Sequence, residues 1–556
     1  MPWEDLIYAL FLLISLLTGF LVQKGNRDLR RNICIGVGIT LSVVVCGTDV
    51  WHSFVLALGF ILFVALISPR YLHYVTFIWG FAYLGFFHYV QYFGFSKPSP
   101  FSKIYHLFLT LRVVGVAFEL HDTWKTAYTL KKLKNDNSEE YENLQLRLKY
   151  KAVFASPVDL LCYLYSYIGM LTGPYYSYRT FNDMLTGWPT NAPRVSLDPF
   201  YRRLQEAPFF GVAYFFSSHF FSISHVRSPD FYDHGFIYRF GYMMIIFFVY
   251  RMRIYFAWLM AECACMTAGL GAYPALSKPQ VGEGPTDLRT LDDWMKNLEP
   301  DSPDEQTKEE SIDLDSVSVD LQELEPLDDF YTFDTVRTVS VWQCEFSPSI
   351  REGMKAWNMT VQHWLSKTIY SRCPGPRMFR SFVTMLTSAF WHGLEPGYYL
   401  AFLPMPFAIL AEDGIATAVV FFFGCSLPPG TVSLLRWLFK MRIFEYFAMA
   451  FLLLDAPSIL TYWASLNYLM HFLIAGLVLL HLLLFKFVSP LALKTVLHPR
   501  GPPKLRASYK IHKLVEDEEE EVEEEEASKA NDWMSTNSYG NSVGTRHSDN
   551  MNPHYL

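Results

Sequence analysis

Residues 456–485 read APSILTYWASLNYLMHFLIAGLVLLHLLLF, thirty residues without Asp, Glu, Lys or Arg. Wound as a helix rising about 1.5 Å per residue, the run exceeds the roughly 30 Å hydrocarbon core of a bilayer, so it can enter, tilt across and leave. The same test, carried outward, finds Leu6–Gln23, Asn32–Thr48, Val50–Pro69, Tyr71–Ser96, Leu160–Tyr178, Ala207–Val226 and Gly414–Leu435, all free of those four residue types. Of 556 residues, 51% are hydrophobic, 17% aromatic and only 18% charged, which excludes a string of soluble domains. The expected fold is an all-α polytopic membrane protein.

Between the clean runs lie apolar stretches interrupted by charge: Phe101–Leu120, Phe240–Pro274, Ser381–Leu394 and Tyr446–Leu454. A charge near the bilayer centre costs about 2.5–3.5 kcal/mol on insertion scales, so these groups are expected to face neighbouring helices or a wet interior. An internal polar chamber follows. Lys24, Arg27, Arg30 and Arg31 come after the first run, and Lys486, Lys494 and Arg500 after the last. Positive-inside logic places both flanks on the cytosol, with the N-terminus lumenal, the C-terminus cytosolic, and about eleven crossings plus re-entrant pieces between them. The start, with Glu4 and Asp5, lacks the basic region of a cleaved signal peptide.

Charge divides the chain further. Residues 278–330 hold 17 acids against 4 bases and residues 499–556 hold 12 against 7, so a total of −8 leaves the other 445 residues at +10. The basic body suits anionic headgroups or an anionic substrate and gives no reason to invoke nucleic acid. The expected organisation is membrane helices over 1–277, an acidic disordered insert over 278–330, catalytic membrane helices over 331–490 and an acidic disordered tail over 491–556. Lys125–Lys151, with leucines at 130, 133, 144, 146 and 148, reads as an amphipathic surface helix. The eight cysteines form no CxxC pair and read as reduced core residues.

Three constellations could carry chemistry. Arg351, Lys355, Asn358 and Gln362, spaced 0, 4, 7 and 11, form one polar stripe if helical. That stripe either faces headgroups, with Trp357 and Trp364 as anchors, or lines the chamber. His392, in the uncharged stretch Thr384–Leu394, is either a helix–helix hydrogen-bonding group or a neutral base for an alcohol, and His363 is a weaker competitor. Arg251, Tyr255, Trp258 and Glu262 repeat the 0, 4, 7, 11 spacing, and either an Arg–Glu network holds helices together or Arg251 or Arg253 meets a phosphate. No Walker A, HExxH or GxSxG pattern is present, and nothing supports metal ligation or a bound cofactor.

Trp357-Asn-Met-Thr-Val-Gln-His-Trp-Leu365 and, 34 residues from Asn to His, Trp391-His-Gly-Leu-Glu-Pro-Gly-Tyr398 together resemble the membrane-bound O-acyltransferase family. Thr172-Gly-Pro-Tyr-Tyr-Ser-Tyr-Arg-Thr180, Arg251-Met-Arg-Ile-Tyr-Phe-Ala-Trp258, Gly269-Leu-Gly-Ala-Tyr-Pro274 and Tyr462-Trp-Ala-Ser465 are similar to its lysophospholipid branch, most of all to members acting on lysophosphatidylinositol. The resemblance spans roughly residues 1–490. It implies a helical bundle around a chamber joining cytosolic acyl-CoA to a membrane lysolipid, residence in the endoplasmic reticulum, and His392 and Asn358 as catalytic residues. Arg251, Arg253, Tyr255, Glu262, Lys355, Gln362 and Trp391 are the candidates for substrate contact. The implied reaction is transfer of a polyunsaturated acyl chain from acyl-CoA, a cosubstrate, to the sn-2 hydroxyl of lysophosphatidylinositol. Another lysophospholipid, a protein hydroxyl, or a noncatalytic transporter or scaffold are the alternatives.

Overall fold

The computed structural model describes residues 3–133, 138–187, 197–298, 331–424 and 427–488. These are helical apart from one two-stranded ladder and connecting loops. Six segments are long and apolar enough to cross a membrane: Asp5–Lys24, Arg27–Leu66, Pro100–Leu133, Phe236–Thr267, Pro396–Phe423 and Leu469–Phe487. Other helices of the same bundle fall outside that set for physical reasons. Arg377–His392 has only 16 residues, and Pro429–Leu453 carries Arg436, Lys440, Arg442 and Glu445.

Lipid exposure follows the helical repeat. Along Trp3–Lys24, Leu6, Leu10, Leu13, Leu17 and Leu21 are exposed at spacings of three and four, while Phe11, Leu12 and Leu16 are buried. The inner face packs on Phe236–Thr267, where Thr267 Oγ1 donates to the Leu16 carbonyl at 3.0 Å. Gly19 permits this approach, since a Cβ there would lie 2.1 Å from Thr267 Oγ1.

The interrupted stretches satisfy their charges inside the bundle, as the cost of burial demands. Arg112, 3% exposed, donates to the carbonyls of Tyr163, Leu164, Ser166 and Ile168 and to the Tyr176 hydroxyl. Glu119 accepts from the Tyr178 and Arg179 amides at 3.0 and 3.2 Å, and Arg436 pairs with Glu412. Arg112 and Glu119 thereby pin the loop between Pro157–Leu164 and Tyr178–Thr186 to the long helix Pro100–Leu133.

Two large apolar cores result. One gathers the N-terminal helices with the end of Phe236–Thr267, and the other joins the start of that helix to Met405–Phe423, Pro429–Leu453, Ala456–Ser465 and Leu469–Leu484. Two smaller clusters bridge them. One is built on Phe81, Phe108, Trp364 and Trp391, the other on Tyr255, Trp258, Val339 and Ala356.

The acidic insert departs from expectation over its first part. Strands Tyr273–Pro274 and Tyr331–Thr332 pair antiparallel, Tyr273 opposite Thr332, and close the neck of the excursion. Residues 278–298 beyond that neck are folded, not disordered, and end in helix Leu288–Leu298. Leu291 is buried against Leu146 and Tyr150, with Leu288, Trp294 and Met295 around it. Lys149 and Lys296 pair with Asp292, and Lys151 and Lys367 with Glu283, so local ion pairs offset the acidic composition. Residues 299–330 and the 491–556 tail lie outside the described residues. The expected Lys125–Lys151 surface helix is divided: the long helix runs to Leu133, and a separate helix, Glu139–Lys151, docks on the insert through Leu146 and Tyr150.

Candidate active site

Where the second large core meets the two smaller clusters, the described residues line a cavity of about 240 Å³. Its wall is chiefly apolar and aromatic, and into it come Asn358, Gln362, His392, Arg251, Tyr255 and Trp391. Six of the nine candidates from the sequence therefore share one chamber.

His392 is the last residue of helix Arg377–His392, where Met385, Ser388 and His392 recur at helical spacing on the face toward the cavity. The imidazole sits among rings: Tyr398 stacks at 5.6 Å between centroids, Phe402 lies at 5.3 Å and Phe451 stands edge-on at 5.2 Å. Trp391, which also borders the cavity, donates its indole N–H to the Leu107 carbonyl at 2.9 Å, which fixes the helix end against Pro100–Leu133. The turn after His392 needs glycine at 393, since a Cβ there would lie 2.4 Å from Glu395 Oε2 and 2.5 Å from the Tyr398 ring. Among the described residues neither ring nitrogen of His392 has a hydrogen-bond partner. The helix–helix hydrogen-bonding alternative is not what the geometry displays.

Asn358 occupies a left-handed backbone conformation, φ 49° and ψ 53°, between helices Ile350–Lys355 and Met359–Leu365. Asparagine tolerates that region better than most residues with a Cβ. Its Oδ1 is buried without a hydrogen-bond partner, an arrangement that costs about 1–3 kcal/mol if nothing binds there. The chain is held at this break by the Met359 amide donating to Thr338 O at 2.7 Å and by Gln362 N donating to Asn358 O at 2.9 Å.

That break corrects the single-stripe expectation. Arg351 and Lys355 lie on a different helix from Gln362 and are exposed, so Lys355 takes no part in the cavity. A one-residue excursion to positive φ resets the helical phase. His363 also lies outside, tucked so closely beneath Gly282 that a Cβ on that glycine would be 2.7 Å from its ring.

The Arg251-to-Glu262 stripe divides as well. Arg251 and Tyr255 line the cavity and both bind Glu345, by a bidentate ion pair at 2.8 and 3.3 Å and a hydroxyl donation at 2.7 Å. Glu262 lies away from the cavity, accepting from the Thr338 and Val339 amides and pairing with Arg203 at 3.0 Å. Arg253 pairs with Asp5 near the N-terminus. Arg253 and Glu262 are thus structural, because each has found a partner of opposite charge elsewhere. Sequence reasoning did not find Glu345, Tyr398 or the buried Lys440 behind the cavity wall. A charge within an apolar stretch was the available signal for Glu345 and Lys440, and Tyr398 gave none.

A membrane-embedded helical bundle whose chamber holds an unpaired imidazole and an unpaired amide defines a class of enzyme that transfers groups within the bilayer. The chain belongs to the MBOAT, membrane-bound O-acyltransferase family, whose pattern matches residues 87–454, and is an O-acyltransferase. It is 36% identical over 479 residues to the mouse membrane-bound acylglycerophosphatidylinositol O-acyltransferase MBOAT7, covering 84% of this chain and 92% of that protein. The human MBOAT7 is 36% identical over 474 residues, with the same two coverages. The Xenopus laevis protein of that name is 33% identical over 512 residues, covering 91% of this chain and 98% of its own.

Proposed function

We propose that this protein transfers an acyl chain from acyl-CoA to the free sn-2 hydroxyl of lysophosphatidylinositol. The observation carrying this reading is that Asn358 and His392 line one apolar chamber with polar atoms that have no partner among the described residues. The names of the relatives supply the headgroup. Neutral His392 takes the hydroxyl proton as the oxygen attacks the thioester carbonyl. The tetrahedral centre collapses, the carbon–sulfur bond breaks, and the imidazolium returns its proton to the coenzyme A thiolate. The thioester is already activated, so no covalent acyl-enzyme is required. The Asn358 amide has a donor for the developing oxyanion and an acceptor for the glycerol hydroxyl.

The aromatic wall suits a long acyl chain, and we assign a polyunsaturated, arachidonoyl-type chain as the preferred donor. Residence in the endoplasmic reticulum, with a lumenal N-terminus and a cytosolic C-terminus, places the chamber between cytosolic acyl-CoA and membrane lysolipid. The test is release of coenzyme A by the purified full chain, with lysolipid headgroups crossed against acyl-CoAs. Release should depend on lysophosphatidylinositol and disappear in His392→Ala, a loss of about 10²–10⁴-fold for a missing general base. Equal turnover of lysophosphatidylcholine rejects the headgroup, and brisk transfer by a well-folded His392→Ala protein rejects the mechanism.

A further inference from the structure

At one wall of the chamber lie two buried cations, of which only one has a carboxylate partner among the described residues. Arg251 is 7% exposed and gives Nε and Nη2 to Glu345, while its Nη1 is buried with no partner. Lys440 is fully buried, and its Nζ reaches only main-chain oxygens, Cys344 O at 2.8 Å and Glu345 O at 3.4 Å. No carboxylate pairs with Lys440 among the described residues. The neighbouring charges cancel: Arg436 pairs with Glu412, and Arg442 with Glu445. One positive charge is left over in a region of low dielectric, beside a cavity lined by Arg251, Cys344 and Gly353. The Lys440 side chain reaches that wall, since its Cδ lies 3.3 Å from where a Gly353 Cβ would be.

A buried charge without a counter-ion is costly, and an anion entering the cavity removes the cost. The free Nη1 supplies a directed donor to go with the field. We propose that Arg251, backed by Lys440, is the seat for a phosphoryl group of one of the two substrates. This rests on the acyl-transfer reading and deepens it. The lysolipid phosphodiester and the phosphates of coenzyme A share that chemistry, and the experiment separates them.

Binding is measured without turnover, on the full chain carrying His392→Ala in detergent micelles. The probes are 1-acyl-lysophosphatidylinositol, 1-acylglycerol of the same chain length, and coenzyme A. Arg251→Gln should weaken one phosphorylated probe by about 10- to 100-fold, the range of a lost charged hydrogen bond, and leave 1-acylglycerol unchanged. A loss confined to the lysolipid assigns the seat to its phosphodiester, and a loss confined to coenzyme A assigns it to that cosubstrate. Arg251→Gln leaves Glu345 without its cation, so the double variant Arg251→Gln/Glu345→Gln, which keeps a neutral hydrogen-bonded pair, should show the same loss. Lys440→Met should weaken the same probe several-fold. Unchanged binding of both phosphorylated probes in the folded variants overturns the proposal. Because no acyl transfer is needed, that failure is distinct from an absence of turnover in the wild type.

Discussion

Asn358→Gly is the perturbation that best separates a working residue from a structural one. The native residue holds φ at 49°, a region that costs most L-residues roughly 1–2 kcal/mol, asparagine only a fraction of that, and glycine nothing. It also buries an amide oxygen without a partner, a further penalty of about 1–3 kcal/mol. Glycine removes both penalties and loses about 0.5–1 kcal/mol through the greater freedom of the unfolded chain, plus the packing of a small side chain. The net expectation is a resting protein as stable as the wild type or more stable by about 1 kcal/mol. Catalysis should move the other way, falling about 10²–10³-fold if the amide stabilises the oxyanion. Thermal unfolding in micelles reads the first quantity and coenzyme A release at saturating substrates reads the second. Asn358→Ala removes the same amide but keeps the strained backbone, so it should be the less stable of the two and equally inactive. If Asn358→Gly instead unfolds early, with activity falling only in proportion to folded protein, the assignment of Asn358 to chemistry is wrong.

Other consequences follow from the same geometry. Gly393→Ala places a methyl group 2.4 Å from Glu395 Oε2 and 2.5 Å from the Tyr398 ring that stacks on His392, so kcat should fall about 10²-fold, as for an ångström-scale misplacement of a reacting group; unchanged kcat would show that the stack does not position the imidazole. Arg112→Leu strands four main-chain carbonyls and should cost upwards of about 3 kcal/mol in thermal unfolding, with Arg112→Lys recovering only part of it because an ammonium has three donors. Burial alone would raise the Glu283 carboxyl, but the ammonium groups of Lys151 and Lys367 more than reverse this and hold it well below the usual carboxylate range. Its contribution should therefore be complete above the unfolded value of about 4.3 and disappear as pH falls below that, and Glu283→Gln at pH 7 should speed trypsin cleavage after Arg289 and Lys296 several-fold; equal cleavage rates would show that this tie does not hold the segment down.

What the sequence made legible was whatever depends on residues close together in the chain. Leu6–Gln23, Asn32–Thr48 and Val50–Pro69 are helical over most of their length, but Leu160–Tyr178 leaves the helix after Leu164, and the 456–485 run is not one helix: positive φ at Asn467 and Tyr468 breaks it into Ala456–Ser465 and Leu469–Leu484. The need to satisfy interrupting charges holds at Arg112, Glu119 and Arg436. The Asn–His pair was legible from its motifs, and both side chains reach one chamber. What failed depended on distant partners or on one dihedral. Arg251 chose Glu345, 94 residues away, over Glu262 on its own helix, and Glu262 chose Arg203. The Lys355 assignment failed because the positive φ of Asn358 splits the stripe. In the acidic insert, Leu288, Leu291, Trp294 and Met295 already carry a helical repeat, but the excess of acids in the surrounding segment outweighed it.

The chamber is set apart by gathering several residues with unpartnered polar atoms around one cavity. Arg112 is given five acceptors, Glu119 two amides, and Glu412 both the Arg436 guanidinium and the Ile350 amide. In the residues lining the cavity, Asn358 Oδ1, Arg251 Nη1 and the His392 ring have no partner among the described residues. Unpartnered buried polar atoms also occur away from the chamber, at His73, His106, Ser166 and Tyr167 among others, so what distinguishes these three residues is that they line one cavity. Each unmade bond lowers the stability of the empty protein and is recovered when a ligand supplies the missing group. Three such vacancies, an imidazole nitrogen, an amide oxygen and a guanidinium N–H, correspond to two hydroxyl protons and a phosphoryl oxygen, groups that a lysophospholipid with a polyol headgroup carries.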